Sequence, residues 1–152
     1  MSRPGMRLTA AAILAVAVTA MPAWAFATPL ITEEEAKLPA QKGAVPNSGR
    51  GVTRGPRIVV PDEEVAPQTS PIRFQVRFQA FGGSSVDLDA LKVTYLKSPV
   101  VDLTPRIKPF AQPTGIDMPD AQLPPGEHLV RVDIKDSDGR PASTSFLLRI
   151  VP

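Results

Sequence analysis

From Ile72 to Ala80 the chain alternates without a break. Ile72, Phe74, Val76, Phe78 and Ala80 fall on one side, Arg73, Gln75, Arg77 and Gln79 on the other. A period of two belongs to a strand with one dry face and one wet face, and a helix cannot satisfy it. The pattern recurs towards the C-terminus. His128, Val130, Val132 and Ile134 alternate with Leu129, Arg131, Asp133 and Lys135; Asp136-Ser137-Asp138-Gly139 then turns the chain, and Thr144, Phe146, Leu148 and Ile150 form a final inward face. Two such runs around a Gly-containing turn predict a hairpin. Leu91, Val93 and Tyr95 give another inward face after the Gly82-Gly83-Ser84-Ser85 turn. Ile58 to Val60 supplies a first strand, and Gly115 to Leu123 another, closed by Pro124-Pro125-Gly126. Val100 to Phe110 carries Pro105 and Pro109; proline cannot donate to a ladder, which places this piece at a sheet edge or in a loop. No helical period is visible after Arg57. The expected fold is all-β, an antiparallel two-sheet sandwich of about seven strands over residues 57–152.

The N-terminus has a different character. Arg3 and Arg7 precede an apolar run from Leu8 to Ala20, followed by Ala23-Trp24-Ala25 and Ala25-Phe26-Ala27. A positive start, a short apolar middle and an A-x-A exit make a cleavable secretory signal over residues 1–27, cut after Ala25 or Ala27. The apolar run is shorter than the roughly 20 residues a membrane span needs, so no transmembrane anchor is expected after cleavage. The chain has no cysteine, which excludes both a lipid anchor on a thiol and a disulfide framework. The expected location is therefore periplasmic or secreted. Loss of Arg3 and Arg7 with the leader leaves 15 basic against 15 acidic residues; this balance argues against nucleic acid as a partner.

Residues 28–56 hold Pro29, Pro39, Pro46 and Pro56 with Gly43, Gly49, Gly51 and Gly55. Such a composition buries little surface and reads as a flexible tether. Thr32-Glu33-Glu34-Glu35 has the form of a capping box, so a short helix through Lys37 is possible within it. From Lys37 to Arg57 every charge is positive: Lys37, Lys42, Arg50, Arg54 and Arg57. The segment is either a solvated linker or a basic arm that meets an anionic envelope surface.

Pro124-Pro125-Gly126-Glu127-His128, the alternating valines, Asp136-Ser137-Asp138-Gly139-Arg140 and Phe146-Leu147-Leu148 resemble the closing hairpin of bacterial immunoglobulin-like domains. Gly83 to Asp89 followed by Leu91-Lys92-Val93 is similar to an earlier strand entry of the same domains. The resemblance spans residues 57–152 and implies an immunoglobulin-like (fibronectin-III-like) β-sandwich. It implies no single function, because this fold carries many. The cysteine pair and core tryptophan of antibody-like members are missing; the one tryptophan is Trp24 in the leader.

Catalytic equipment is sparse. The single histidine, His128, falls on an inward face, where a hydrogen bond to a loop carbonyl is the expected role. Asp87/Asp89 and Asp117/Asp120 are paired carboxylates that also suit turns and solvent. No catalytic residues and no cofactor are expected. Asp136-x-Asp138-Gly139, with Asp133 nearby, copies the start of a calcium loop, but the twelfth position that should hold a bidentate glutamate is Leu147. A looser calcium- or ligand-binding site at Asp133, Asp136 and Asp138 is the alternative expectation. The leading one is a non-catalytic exported module that docks another envelope protein or peptide. Its contact residues are Arg106, Ile107, Lys108 and Phe110 on a stiff proline-rich edge, with Arg50 and Arg54 of the basic arm. The same edge also suits plain protection by proline and charge.

Overall fold

The computed structural model describes residues 27–47 and 54–152. The expected leader up to Phe26, and Arg50 of the basic arm, lie outside these residues. The strands are β1 Thr28–Pro29, β2 Arg57–Val59, β3 Gln68–Thr69, β4 Ile72–Gln79, β5 Val86–Tyr95, β6 Val101–Asp102, β7 Ala111–Gln112, β8 Gly115–Gln122, β9 Gly126–Asp136 and β10 Pro141–Val151. They form two sheets. One runs β1-β8-β4-β2, with β7 also on β8; the other runs β3-β10-β9-β5-β6. The chain is an all-β sandwich.

The alternating segments place their apolar sides between the sheets. Phe74, Val76, Val93, Tyr95, Val130, Val132 and Leu148 are almost completely buried. Phe74 of β4 and Phe146 of β10 stack across the interface with ring centroids 6.1 Å apart. Gly115 allows β8 to approach β4: a Cβ there would stand 2.2 Å from the Val76 carbonyl oxygen, so only glycine fits.

The principal ladders are antiparallel, as expected, but two short pairings are parallel: β1 with β8 and β3 with β10. The second arises because the chain changes sheet. After pairing Val59 with Arg77, β2 leaves β4. The chain turns through helix α2 (Asp62–Val65) and re-pairs as β3 beside Ile150 and Val151. The Gln75 N–H, two residues further along β4, donates to Glu64 Oε1 at 2.8 Å. Glu64 is only 2 % exposed and its Oε2 has no partner.

Two expectations need correction. Residues 28–47 are not a flexible tether. Thr28–Pro29 pairs with Ala121–Gln122, Leu30 donates its N–H to the Gln122 carbonyl at 2.9 Å, and Leu30 and Ile31 are buried in the common core. The expected capping box is present and opens helix α1, Glu33–Ala36: Thr32 Oγ1 accepts from Glu35 N–H and Glu35 Oε2 accepts from Thr32 N–H. The Pro- and Gly-rich average conceals an apolar pair, Leu30-Ile31, which burial stabilises by about 1.5–3 kcal/mol per side chain. The absence of helix after Arg57 also fails, because α2 and the region around Arg106 are helical.

Candidate functional site

The Arg106–Phe110 segment is not a free edge. Thr104–Ile107 forms helix α3, with proline in its first turn, and Lys108–Phe110 continues as a 3₁₀ turn. Pro105 therefore opens a helix, a position where its missing N–H costs nothing. Ile107 is fully buried and Phe110 packs half-buried against the core. Arg106 is committed internally: its Nη1 donates to the Leu30 carbonyl and to Glu35 Oε2, each at 2.8 Å, and its Nη2 to Glu35 Oε1 at 2.7 Å. The Arg106 hydrogen bonds, against burial and with help from Thr32 N–H, hold the Glu35 carboxyl down at about 2. This forked pair straps α1 to the sandwich. Of the expected contact residues here only Lys108 stays well exposed, 3.9 Å from Asp89.

The Asp133–Asp136–Asp138 cluster is also spent. Asp136 is 3 % exposed; its Oδ1 accepts the N–H groups of Asp138 and Arg140 at 3.0 and 2.8 Å. Its Oδ2 lies 3.4 Å from Ser84 Oγ and 3.0 Å from Arg140 Nε, the latter a charge contact outside hydrogen-bond alignment. Burial works against ionisation of Asp136, yet the Arg140 N–H and charge, the Asp138 N–H and Ser84 together hold it below the usual carboxylate range. Asp138 pairs with Arg140, and Asp133 with Arg131. The loop is a hairpin turn clamped by arginine, and among the described residues no three acidic or histidine side chains are grouped as metal ligands.

His128 is 1 % exposed, as its inward position implies. Its Nε2 is 2.7 Å from the Pro124 carbonyl and its Nδ1 is 2.9 Å from the Tyr95 hydroxyl. The carbonyl can only accept, so Nε2 carries the proton and the Tyr95 hydroxyl donates to Nδ1. Burial lowers the histidine's pKa and pushes the tyrosine's up to about 12, so the pair stays neutral. Both ring nitrogens serve the core.

What remains is the N-terminal arm itself. Ala40 bridges Lys97 just past the end of β5, and Gln41 N–H donates to the Leu96 carbonyl. Asn47 exchanges both backbone hydrogen bonds with Ser145 of β10, at 2.9 and 3.0 Å. Because β9 lies between β5 and β10, residues 42–46 cross the second sheet as an arch. A cleft of about 500 Å³ opens beside it, lined by Gln41, Lys42, Asn47, Arg131, Ser143 and Thr144 among others; the Asp133 carboxylate, opposite Ser143 in the ladder, holds Arg131. Arg54 is exposed and fixed to the domain through its carbonyl, which accepts from Arg140 Nη1 at 2.9 Å. Sequence reasoning identified the basic arm but missed this cleft, since nothing local marks Arg131 and Ser143 as neighbours of Lys42.

A scan against protein-family models, a search of curated proteins and a search of solved structures each found no match. No helix among the described residues is long and apolar enough to cross a membrane.

Proposed function

We propose that the chain is an exported, non-catalytic interaction module of the cell envelope, with an immunoglobulin-type sandwich as its scaffold. The strand pairing supports the scaffold reading. Two packed sheets with mainly antiparallel ladders, and a segment divided between them as β2 on β4 and β3 on β10, fit such a sandwich. The leader-like first residues support export. Both candidate cleavage points precede β1, so processing leaves the described fold whole.

The observation that carries the binding role is the arch. It displays Lys42 at a cleft that Arg131, held by Asp133, also lines, and Arg54 lies further along the same arm. Truncating the arm would remove Leu30 and Ile31 from the core, so charge reversal is the cleaner test. Crosslinking in intact envelopes with the full chain should capture a partner that the Lys42→Glu/Arg54→Glu variant loses. Equal capture by both would remove the arm from the binding face.

A further inference from the structure

Continued past Val59–Arg77, the β2–β4 register would set Pro61 opposite Gln75. Proline has no N–H to give that ladder, and the Pro61 carbonyl turns instead to accept Glu64 N–H at 3.0 Å. The Glu64 side chain takes over the vacant place, its Oε1 accepting Gln75 N–H at 2.8 Å. The Glu64 carbonyl accepts from Gln68 Nε2 at 3.3 Å, which ties the start of β3 to α2, and α2 packs on β10. One buried carboxyl thus closes the crossover between the two sheets. Helix α2 is four residues long and Pro61 gives it no side-chain cap, so its own hydrogen bonds hold it poorly.

That carboxyl is badly placed to carry charge. Glu64 is almost fully buried and its Oε2 has no partner among the described residues. The cations on the surrounding strands do not neutralise it. Arg73 of β4 is held by Asp117, Arg149 of β10 by Glu127, Arg57 of β2 lies over the Phe81 ring, and Arg77 of β4 makes no ion pair with it. Strand β3 offers only Gln68 and Thr69, and α2 itself adds Asp62 and Glu63. We infer that Glu64 is a proton-operated latch: neutral, it holds α2 between β4 and β10; ionised, it lets residues 61–68 swing away while the sandwich stays folded. Opening bares the β4 edge at Gln75 and loosens β3 from Ile150 and Val151. Desolvation raises the Glu64 carboxyl to about 7, against the Gln75 N–H and with help from Glu63. The raised value means that the latch is fully closed below pH 4.5 and released as pH climbs through 7. His128, the single histidine, has both ring nitrogens on Pro124 and Tyr95. The latch does not depend on the arch as a binding face.

Amide hydrogen exchange of the folded chain, followed by NMR at pH 5 and pH 8 with and without sub-denaturing urea, tests this. Two amides report on the latch: Gln75, and Ala66, whose N–H donates to the Asp62 carbonyl at 3.1 Å. Their protection factors should fall on the order of 100-fold between pH 5 and pH 8. That exchange should respond little to urea, because a local opening exposes little surface. Val130 and Phe146, opposite each other in the β9–β10 ladder, should instead exchange through global unfolding and accelerate steeply with urea. Glu64→Gln should abolish the pH response at Gln75 and Ala66. In the parent chain the ¹³C carboxyl resonance of Glu64 should titrate near neutral pH, a readout that needs no variant. Three results overturn the latch: a Glu64 carboxyl that titrates near 4.5, a pH response retained in Glu64→Gln, or exchange at Gln75 and Ala66 with the urea dependence of Val130 and Phe146. The last would mean that the crossover opens only when the whole sandwich unfolds.

Discussion

Burial of Glu64 makes the stability of this protein depend on pH in an unusual direction. Desolvation raises its carboxyl from 4.5 to about 7, the hydrogen bond from Gln75 N–H opposes this, and Glu63 adds to it. In the unfolded chain the proton leaves near 4.5; in the folded chain it stays until about 7. Between these values the unfolded state binds fewer protons, so stability falls as pH rises. The contribution is complete below pH 4.5 and lost once pH passes 7. At about 1.4 kcal/mol per pH unit, the loss is on the order of 3 kcal/mol. Glu64→Gln keeps an oxygen for Gln75 N–H and cannot ionise. Urea unfolding of both proteins at pH 5 and pH 8 is the assay. The variant should lie within about 1 kcal/mol of the parent at pH 5 and exceed it at pH 8 by about 3 kcal/mol, or roughly 1–3 M urea in midpoint. His128, whose lowered pKa works in the opposite direction below 6.5, is common to both and cancels in the comparison. A difference between the proteins that is the same at both pH values would refute the buried-carboxyl reasoning.

Three further outcomes follow from the packing. Leu30→Ala should cost about 2–5 kcal/mol in a chemical unfolding experiment, the range for a buried leucine; a cost near zero would return residues 28–47 to the status of a tether. Arg106→Ala should destabilise by about 1–2 kcal/mol at neutral pH, with faster proteolysis at Lys37 and Lys42. The Glu35 pair stabilises above pH 4.5 and is lost as pH falls through about 2, so the gap between the two proteins should narrow in strong acid; a gap independent of pH would assign the effect to packing alone. Millimolar calcium should leave the melting temperature unchanged, because binding at Asp136 and Asp138 would first have to displace Arg140; a shift abolished by Asp138→Ala would restore the calcium alternative.

The four long inward faces were legible because each rests on a local rule. Ile72 to Phe78, Leu91 to Tyr95, His128 to Ile134 and Thr144 to Ile150 announce themselves by period, and all are buried as that period requires. The Thr32–Glu35 box was equally readable, being four consecutive residues. Arg106 was misread because its stiff, mixed surroundings suit an exposed edge, while its partners are 71 and 76 residues away in Glu35 and Leu30. The helix that carries it had a local sign in Thr104-Pro105, a proline in the first turn.

Composition and periodicity by themselves determined a β architecture with a hydrophobic interior and no disulfide, since alternation, turn residues and the lack of cysteine are properties of neighbours in the chain. Which surfaces stay available was decided only by tertiary structure. The arm's Leu30 and Ile31 find the core, Arg106 turns inward to hold them, Arg140 closes on Asp136 and Asp138, and Glu64 fills the place that β2 vacates on β4. Each of these depends on free energies of burial and charge pairing between residues far apart in sequence, and no local pattern encodes them. The cleft at Lys42 and Arg131 is what those pairings leave open.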